Sequence, residues 1–207
     1  MITSSNNAKV KQVVQWQTKA KERRKDHVFL AEGVRMCEEA PVKSVREVYL
    51  TEELEQKLRR NAQNGDTAFW DKLQQTGYET VSPEVFAKMA DTQTPQGILT
   101  VLEQPSYDLT QLLEQPEPLF LILENLQDPG NLGTMIRTGE GAGITGVIMN
   151  QQTVDIFNPK TIRATMGSIF RVPFVYVSEL SPVLTQMHER GIHTLSLIHI
   201  SEPTRPY

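Results

Sequence analysis

The side chains best suited to chemistry gather in ENLQDPGNLGTMIR, residues 124–137, which holds Glu124, Asn125, Asp128, Asn131 and Arg137. The segment follows an apolar run, LFLILEN, that reads as a β-strand buried on both faces, as in a parallel sheet. Sheets of this class place their ligands at the carboxyl ends of the strands. Asp128-Pro129-Gly130 is turn chemistry and Asn131 is a candidate helix cap. From Asn131 to Arg137 is short of two full turns, about 7.2 residues, so the two lie on partly different faces of one helix. Arg137 near Glu124 would have a fixed orientation. A helix cap plus an ion pair, with no catalytic role, accounts for the same residues equally well.

Six glycines fall between Gly130 and Gly146. GAGITG, residues 141–146, matches the dinucleotide pattern G-x-G-x-x-G, but that pattern works only when it follows a strand and opens a helix, so that a pyrophosphate meets the helix N-terminus. Here it follows the helix and leads into the strand GVIMN. A nucleotide-dependent oxidoreductase would rest on this misplaced pattern alone. The glycines are better read as ending a helix and letting it pack closely. No Gly-Lys-Ser/Thr is present, so a P-loop is excluded.

With 207 residues the chain has room for one large domain or two small ones. Its apolar runs are too short to span a bilayer, and the polar start, Met1 to Val10, lacks the apolar stretch of a signal peptide. A single cysteine, Cys37, excludes an internal disulfide and suits a reducing cytoplasm. The four histidines are scattered without metal-ligand spacing, so no metal is expected. The net charge of −4 hides a basic start: Lys9, Lys11, Lys19, Lys21, Arg23, Arg24 and Lys25 face Glu22 alone. Such a segment can neutralise phosphates, although a solvated helix face is the plainer use. Phe69, Trp70 and Tyr78 could stack on bases, but aromatics more often fill a core.

The elements that must position these groups can be read in order. A capped helix spans SSNNAKVKQVVQWQTKAKERRK, with Val10, Val14 and Trp16 or Gln17 near one face. HVFLAEG and REVYLT read as strands, EELEQKLRRNAQ and TAFWDKLQQ as helices, and YETVS as a strand. PEVFAKMAD is a helix opened by Pro83, and QGILTVLE is a strand. Gln104–Pro118 holds three prolines and reads as a linker. Strands LFLILEN, GVIMN and RVPFVYV then alternate with helices in GNLGTMIRTGEGAG, NPKTIRATMG and ELSPVLTQMHERG. The alternation predicts α/β architecture.

ENLQDPGNLGTMIRTGEGAG resembles the first signature motif of the SpoU, or TrmH, family of RNA 2′-O-ribose methyltransferases, and NPKTIRATMGSIFRVPF resembles that family's next block. Upstream, ITSSNNAKVKQVVQWQTKAKERRKDHVFLAEGVRMCEEA and DTQTPQGILTVLE are similar to its ribosomal-protein-like substrate-binding domain. The resemblance implies an RNA substrate-binding α/β domain over residues 1–104, a linker over 105–118, and part of a SPOUT-type, trefoil-knot α/β methyltransferase domain over 119–194. It implies methylation of a ribose 2′-hydroxyl in ribosomal or transfer RNA, with S-adenosylmethionine as donor and a homodimer as the assembly. It places Asn131 and Arg137 at catalytic positions with Glu124 nearby, Thr165 and Gly167 at the cofactor pocket or the dimer interface, and Lys9, Arg23, Arg24 and Lys25 on the RNA. A guanidinium loses its proton only above a pH of about 12, so Arg137 is expected to grip a phosphate with both nitrogens, and any proton loss to pass through that phosphate. The rival reading is a non-catalytic RNA-binding protein acting through the first domain.

After Gly191 the family pattern calls for another strand, a glutamate- and glycine-containing loop and a Ser/Asn-rich closing motif, and LSLIHISEPTRPY stands there instead. Leu195–Arg205 back-translates into a transposon mosaic end and sequencing adapter. Residues 195–207 are therefore expected to be a non-native tail on a truncated enzyme that is itself inactive and prone to aggregate.

Overall fold

Two β-sheets organise residues 1–196, the part of the chain that the computed structural model describes. Residues 197–207, most of the expected non-native tail, lie outside the described residues. The first sheet has the order β1 (Val28–Glu32), β4 (Ile98–Glu103), β2 (Val45–Thr51), β3 (Glu79–Val81), with β4 antiparallel to both neighbours and β2 parallel to β3. The second is fully parallel, in the order β5 (Phe120–Leu123), β6 (Gly146–Asn150), β7 (Phe174–Val177).

The basic start is two helices, α1 (Ala8–Thr18) and α2 (Ala20–Asp26), rather than one. Lys19 between them is extended, with φ −122° and ψ 108°. The break lets Arg23 fold back so that its Nη1 donates to the Trp16 carbonyl at 2.7 Å and lies 3.3 Å from that of Gln17. Last-turn carbonyls of a helix have no partner within it, so Arg23 closes the end of α1. α4 (Glu52–Gln63), α5 (Ala68–Thr76) and α6 (Pro83–Met89) follow the sequence reading, with Thr51 capping α4 and Ser82 capping α6. A short helix the sequence reading did not assign, α3 (Val34–Glu39), starts after Gly33, whose φ of 97° suits glycine.

Within Gln104–Pro118 lies α7 (Leu109–Leu113), capped by Asp108, which accepts from the Gln111 N–H at 3.0 Å. Its Leu112 and Leu113 are buried with Ile148 of β6, Val175 of β7, and Val183 and Met187 of α10 (Ser181–Glu189). The opposite face of β6 sends Val147 and Met149 against Leu132 and Ile136 of α8 (Pro129–Gly141) and Ile162 of α9 (Pro159–Thr165). The central strand β6, not β5, is thus buried on both faces. β5 is an outer strand among the described residues, three of its four residues are only half-buried, and Leu119 before it is 52% exposed.

The GAGITG glycines end α8, as the sequence reading has it, with Gly143 at φ 74°. A side chain on Gly139 would meet Ile144 Cδ1 at 2.4 Å. At Gly133 a Cβ would come within 2.5 Å of Ala164 Cβ and 2.6 Å of the Thr161 carbonyl, so glycine lets α8 and α9 cross in contact.

β1 joins the two sheets into one body. Val28 and Leu30 face α1 and α6, while Phe29 and Ala31 face the second sheet's helices. The Phe29 ring centroid is 5.0 Å from that of Phe157 and 6.3 Å from that of Phe170. Three ion pairs cross the same seam: Arg23 to Asp155 at 2.7 Å, Arg171 to Glu39 at 2.8 Å, and Arg163 to Asp91. Arg171 also pairs with Glu140 of α8.

Hydrogen bonding from Arg171 holds the carboxyls of Glu39 and Glu140 below their ordinary value of 4.5, helped by Arg35 at Glu39 and by Ser168 at Glu140. A depressed carboxylate stabilises the fold above its unfolded pKa, and that contribution is lost as pH falls through the folded pKa. Urea midpoints should therefore fall on acidification below about pH 4.5, and Glu39→Gln should flatten that fall. An unchanged pH slope in Glu39→Gln would show that the seam carboxylate contributes nothing.

Candidate active site

The residues 124–137 sit where β5 ends and α8 begins. The chain leaves β5 through Asn125, whose φ of 55° is left-handed, a conformation asparagine tolerates better than most residues. Asp128, not Asn131, caps α8: its Oδ1 accepts from the Asn131 N–H at 2.7 Å, and Pro129 occupies the first turn, where its missing N–H costs nothing. The Asn131 N–H holds the Asp128 carboxyl below the usual range, and Lys160 adds to this with its Nζ 3.5 Å from Oδ2. An aspartate cap leaves the Asn131 side chain unspent. It is exposed on the first turn, and Arg137 is exposed further along α8. The expected ion pair between Glu124 and Arg137 does not form. Glu124 precedes the left-handed turn, whereas Arg137 lies well inside the helix. Both charges are left to meet an outside molecule.

Lys160 was not among the residues singled out from sequence. Its side chain is 59% exposed beside the start of α8, and a Cβ on Gly130 would lie 3.5 Å from its Cε. Its signal was its place in NPK, directly after the cap Asn158, which accepts from the Lys160 N–H at 2.9 Å.

The four basic candidates divide. Arg23 is 3% exposed and spent on Asp155, Trp16 and Gln17, so it holds the domains together and offers nothing to a phosphate. Lys9 is paired with Glu79, which raises its pKa. Arg24 and Lys25 are exposed and have no ion-pair partner among the described residues. The Asp155 that receives Arg23 lies in the loop after β6, so α2 docks on the carboxyl edge of the second sheet, the edge that carries Glu124. The Arg24 charge also offsets part of the burial that pushes the Tyr176 phenol up, and that hydroxyl donates to the Val154 carbonyl at 2.7 Å.

The other candidates are placed differently. Thr165 is fully buried, and its hydroxyl donates to the Ile162 carbonyl at 2.6 Å. Gly167, at φ 96°, has Glu39 Oε2 only 2.1 Å from where a Cβ would stand. Gly167 therefore sits in the packed seam, and Thr165 is buried with its hydroxyl turned back on α9. Phe69 is buried, and Trp70 and Tyr78 pack against the same cluster of the first domain. A cavity of about 410 Å³ beside Tyr107 and Gln111 and a groove of about 560 Å³ beside Lys11 and Lys88 both lie away from Asn131 and Arg137. The candidate site is an open surface. Among the described residues no group of three or more His, Cys, Asp or Glu could hold a metal ion, and no helix is long and apolar enough to cross a membrane.

A parallel sheet with a polar loop at its carboxyl edge, joined to an α/β domain whose first helices are basic, is the arrangement set beside known proteins. The SpoU rRNA methylase family matches residues 118–207 and the MRM3-like substrate binding domain matches residues 7–100. The chain belongs to the SpoU rRNA methylase family. It is 36% identical over 188 residues to the 23S rRNA (guanosine(2553)-2′-O)-methyltransferase RlmP of Bacillus subtilis, covering 86% of this chain and 68% of that protein. It is 41% identical over 110 residues to the human mitochondrial rRNA methyltransferase 3, covering 51% of this chain and 26% of that protein. Among solved structures, the AdoMet-bound rRNA methyltransferase from Sinorhizobium meliloti aligns with a TM-score of 0.73 at 27% identity, over 92% of this chain and 68% of that one.

Arg23→Ala should lower unfolding stability by about 2–3 kcal/mol, because it strands Asp155 and two helix-end carbonyls. Arg24→Ala should stay within about 0.5 kcal/mol of the unaltered chain. Urea denaturation followed by tryptophan fluorescence separates the two, and equal losses would mean that Arg23 is not structural.

Proposed function

We propose that the protein methylates a ribose 2′-hydroxyl in ribosomal or transfer RNA, with S-adenosylmethionine as the methyl donor. The observation that carries this reading is the exposed Arg137 guanidinium on α8, without an ion-pair partner among the described residues, on the same helix as the uncommitted Asn131 amide, which follows a strand-end loop near Arg24 of α2. Arg137 grips the phosphate next to the target ribose through two parallel N–H bonds. Asn131 orients the sugar. S-adenosylmethionine, when bound, would supply the methyl group for the 2′-oxygen, and the hydroxyl proton would leave through the phosphate that Arg137 holds. Lys160 adds positive charge at the same mouth. Glu124 orients the ribose from the strand end.

The two residues expected at the donor, Thr165 and Gly167, are both buried. Thr165 has spent its hydroxyl within its own helix, and Glu39 fills the space at Gly167. What this chain supplies in the described residues is the RNA side of the reaction. The first domain brings the RNA through Arg24 and Lys25, with Lys9 adding a cation that Glu79 partly neutralises. A homodimer is favoured by Met135 and Met166, each 39% exposed, the first on α8 two residues from Arg137. A reducing, cytoplasmic setting fits Cys37, which is buried with its thiol pushed up to about 12.

Lysine at position 137 keeps the charge and loses the fork. Arg137→Lys should lower methyl transfer to ribosomal RNA at least about tenfold with little change in RNA affinity, as expected when orientation is lost rather than binding. Near-normal turnover would remove the bidentate role. RNA binding without any methyl transfer in the unaltered chain would favour a binding protein acting through the first domain. Neutralising Arg24 and Lys25 together should flatten the plot of log affinity against log salt by about 1.5 units. An unchanged slope would place the RNA elsewhere.

A further inference from the structure

We propose that Asn150, at the end of β6, is a positioning residue that fixes the entry to α8 and so the aim of Asn131 and Arg137. The inference rests on the reading of α8 as the catalytic helix. Asn150 is 6% exposed, and a buried amide is tolerated only when its donors and acceptors are met. Its Oδ1 accepts from the Asn125 backbone N–H at 3.0 Å and from the Thr153 hydroxyl at 2.8 Å, and its Nδ2 donates to Asn125 Oδ1 at 2.8 Å. The backbone N–H settles which way this amide points, because only an oxygen can receive it. The nitrogen is then obliged to face Asn125.

The contacts continue residue by residue into the helix. The Leu126 carbonyl accepts from the Val154 N–H at 2.8 Å. Gln127 Nε2 donates to the Asn125 carbonyl at 3.0 Å and to the Gln152 carbonyl at 2.8 Å. Asp128 then caps α8 through the Asn131 N–H. Every residue from Asn125 to Asp128 is therefore tied, Asn125 to the last residue of β6 and the next two to the loop after it. That second loop also carries Asp155, the seat of Arg23. One clamp thus connects the domain that carries Arg24 and Lys25 to the helix that carries Arg137.

A device of this kind sets orientation rather than affinity. Its loss should act on turnover, since small misplacements of a reacting group cost rate more than binding. Asn125→Gly is the clean perturbation: glycine keeps the left-handed backbone and removes only the side-chain acceptor. Asn125→Asp restores an acceptor of the same shape.

The test uses the full chain and ribosomal RNA. In Asn125→Gly, amide hydrogen exchange across residues 125–128 and 153–154 should quicken about tenfold, the loss expected for one hydrogen bond. Exchange across β1 should not change, and Asn125→Asp should return the slow rates. The kcat for methyl transfer should fall about tenfold or more in Asn125→Gly, with KM for RNA within about twofold. Unchanged exchange in Asn125→Gly, or an effect carried wholly by KM, would overturn the proposal. Should the unaltered chain transfer no methyl group, the proposed reaction is what fails, and the exchange rates alone decide whether the clamp exists.

Discussion

The packing of β1 against α9 is the contact on which the rest of this molecule depends. A strand at the edge of a sheet normally shows one face to water. Here both faces are covered, one by the strand's own domain and the other by Phe157, Phe170 and their neighbours. The apolar contact supplies the adhesion, because burial of aromatic surface is the largest favourable term available at such a junction. The ion pairs around it set register. Arg23, Arg163 and Arg171 each reach across the seam to an acid on the other domain. With one pair reversed in direction relative to the other two, a sliding or rotated arrangement would leave charges unmatched.

The chemistry is held by short local devices on that rigid base. An aspartate cap and a proline open α8, and a glycine lets it lie against α9. The two strand-end loops are stitched side chain to backbone. None of these devices uses the side chain of Asn131, Arg137 or Lys25, and this separation is what a binding surface requires: the groups proposed to meet the RNA are not the groups that hold the fold.

Much of this was legible in the sequence. The helix after Thr51 appears with the expected bounds, and the one after Ser82 starts where expected at Pro83 and ends two residues sooner, at Met89. The candidate segment stood out because its polar residues follow an apolar strand. What escaped had non-local causes. Lys19 breaks the first helix because Arg23 is drawn inward by Asp155, far along the chain. LFLILEN is as apolar as a central strand, yet β5 is an outer one among the described residues, and hydrophobicity alone does not report strand order. Arg23 and Arg24 are adjacent and chemically identical, yet one is buried and the other exposed, a difference set only by the direction each side chain leaves α2. Thr165 and Gly167 lie in a block that resembles the family's, but their neighbours come from α3 and from their own helix.

The double burial of β1 also bears on how such a protein can change over generations. A domain with a solvent face can be lost, duplicated or exchanged at little cost. This first domain has none along β1: cut away, it would present Phe29, Ala31, Met36 and Leu102 to water as one apolar patch. The two domains are therefore inherited together, and if Arg24 and Lys25 meet the RNA as proposed, a new specificity arises on that exposed rim rather than by substituting another binding module.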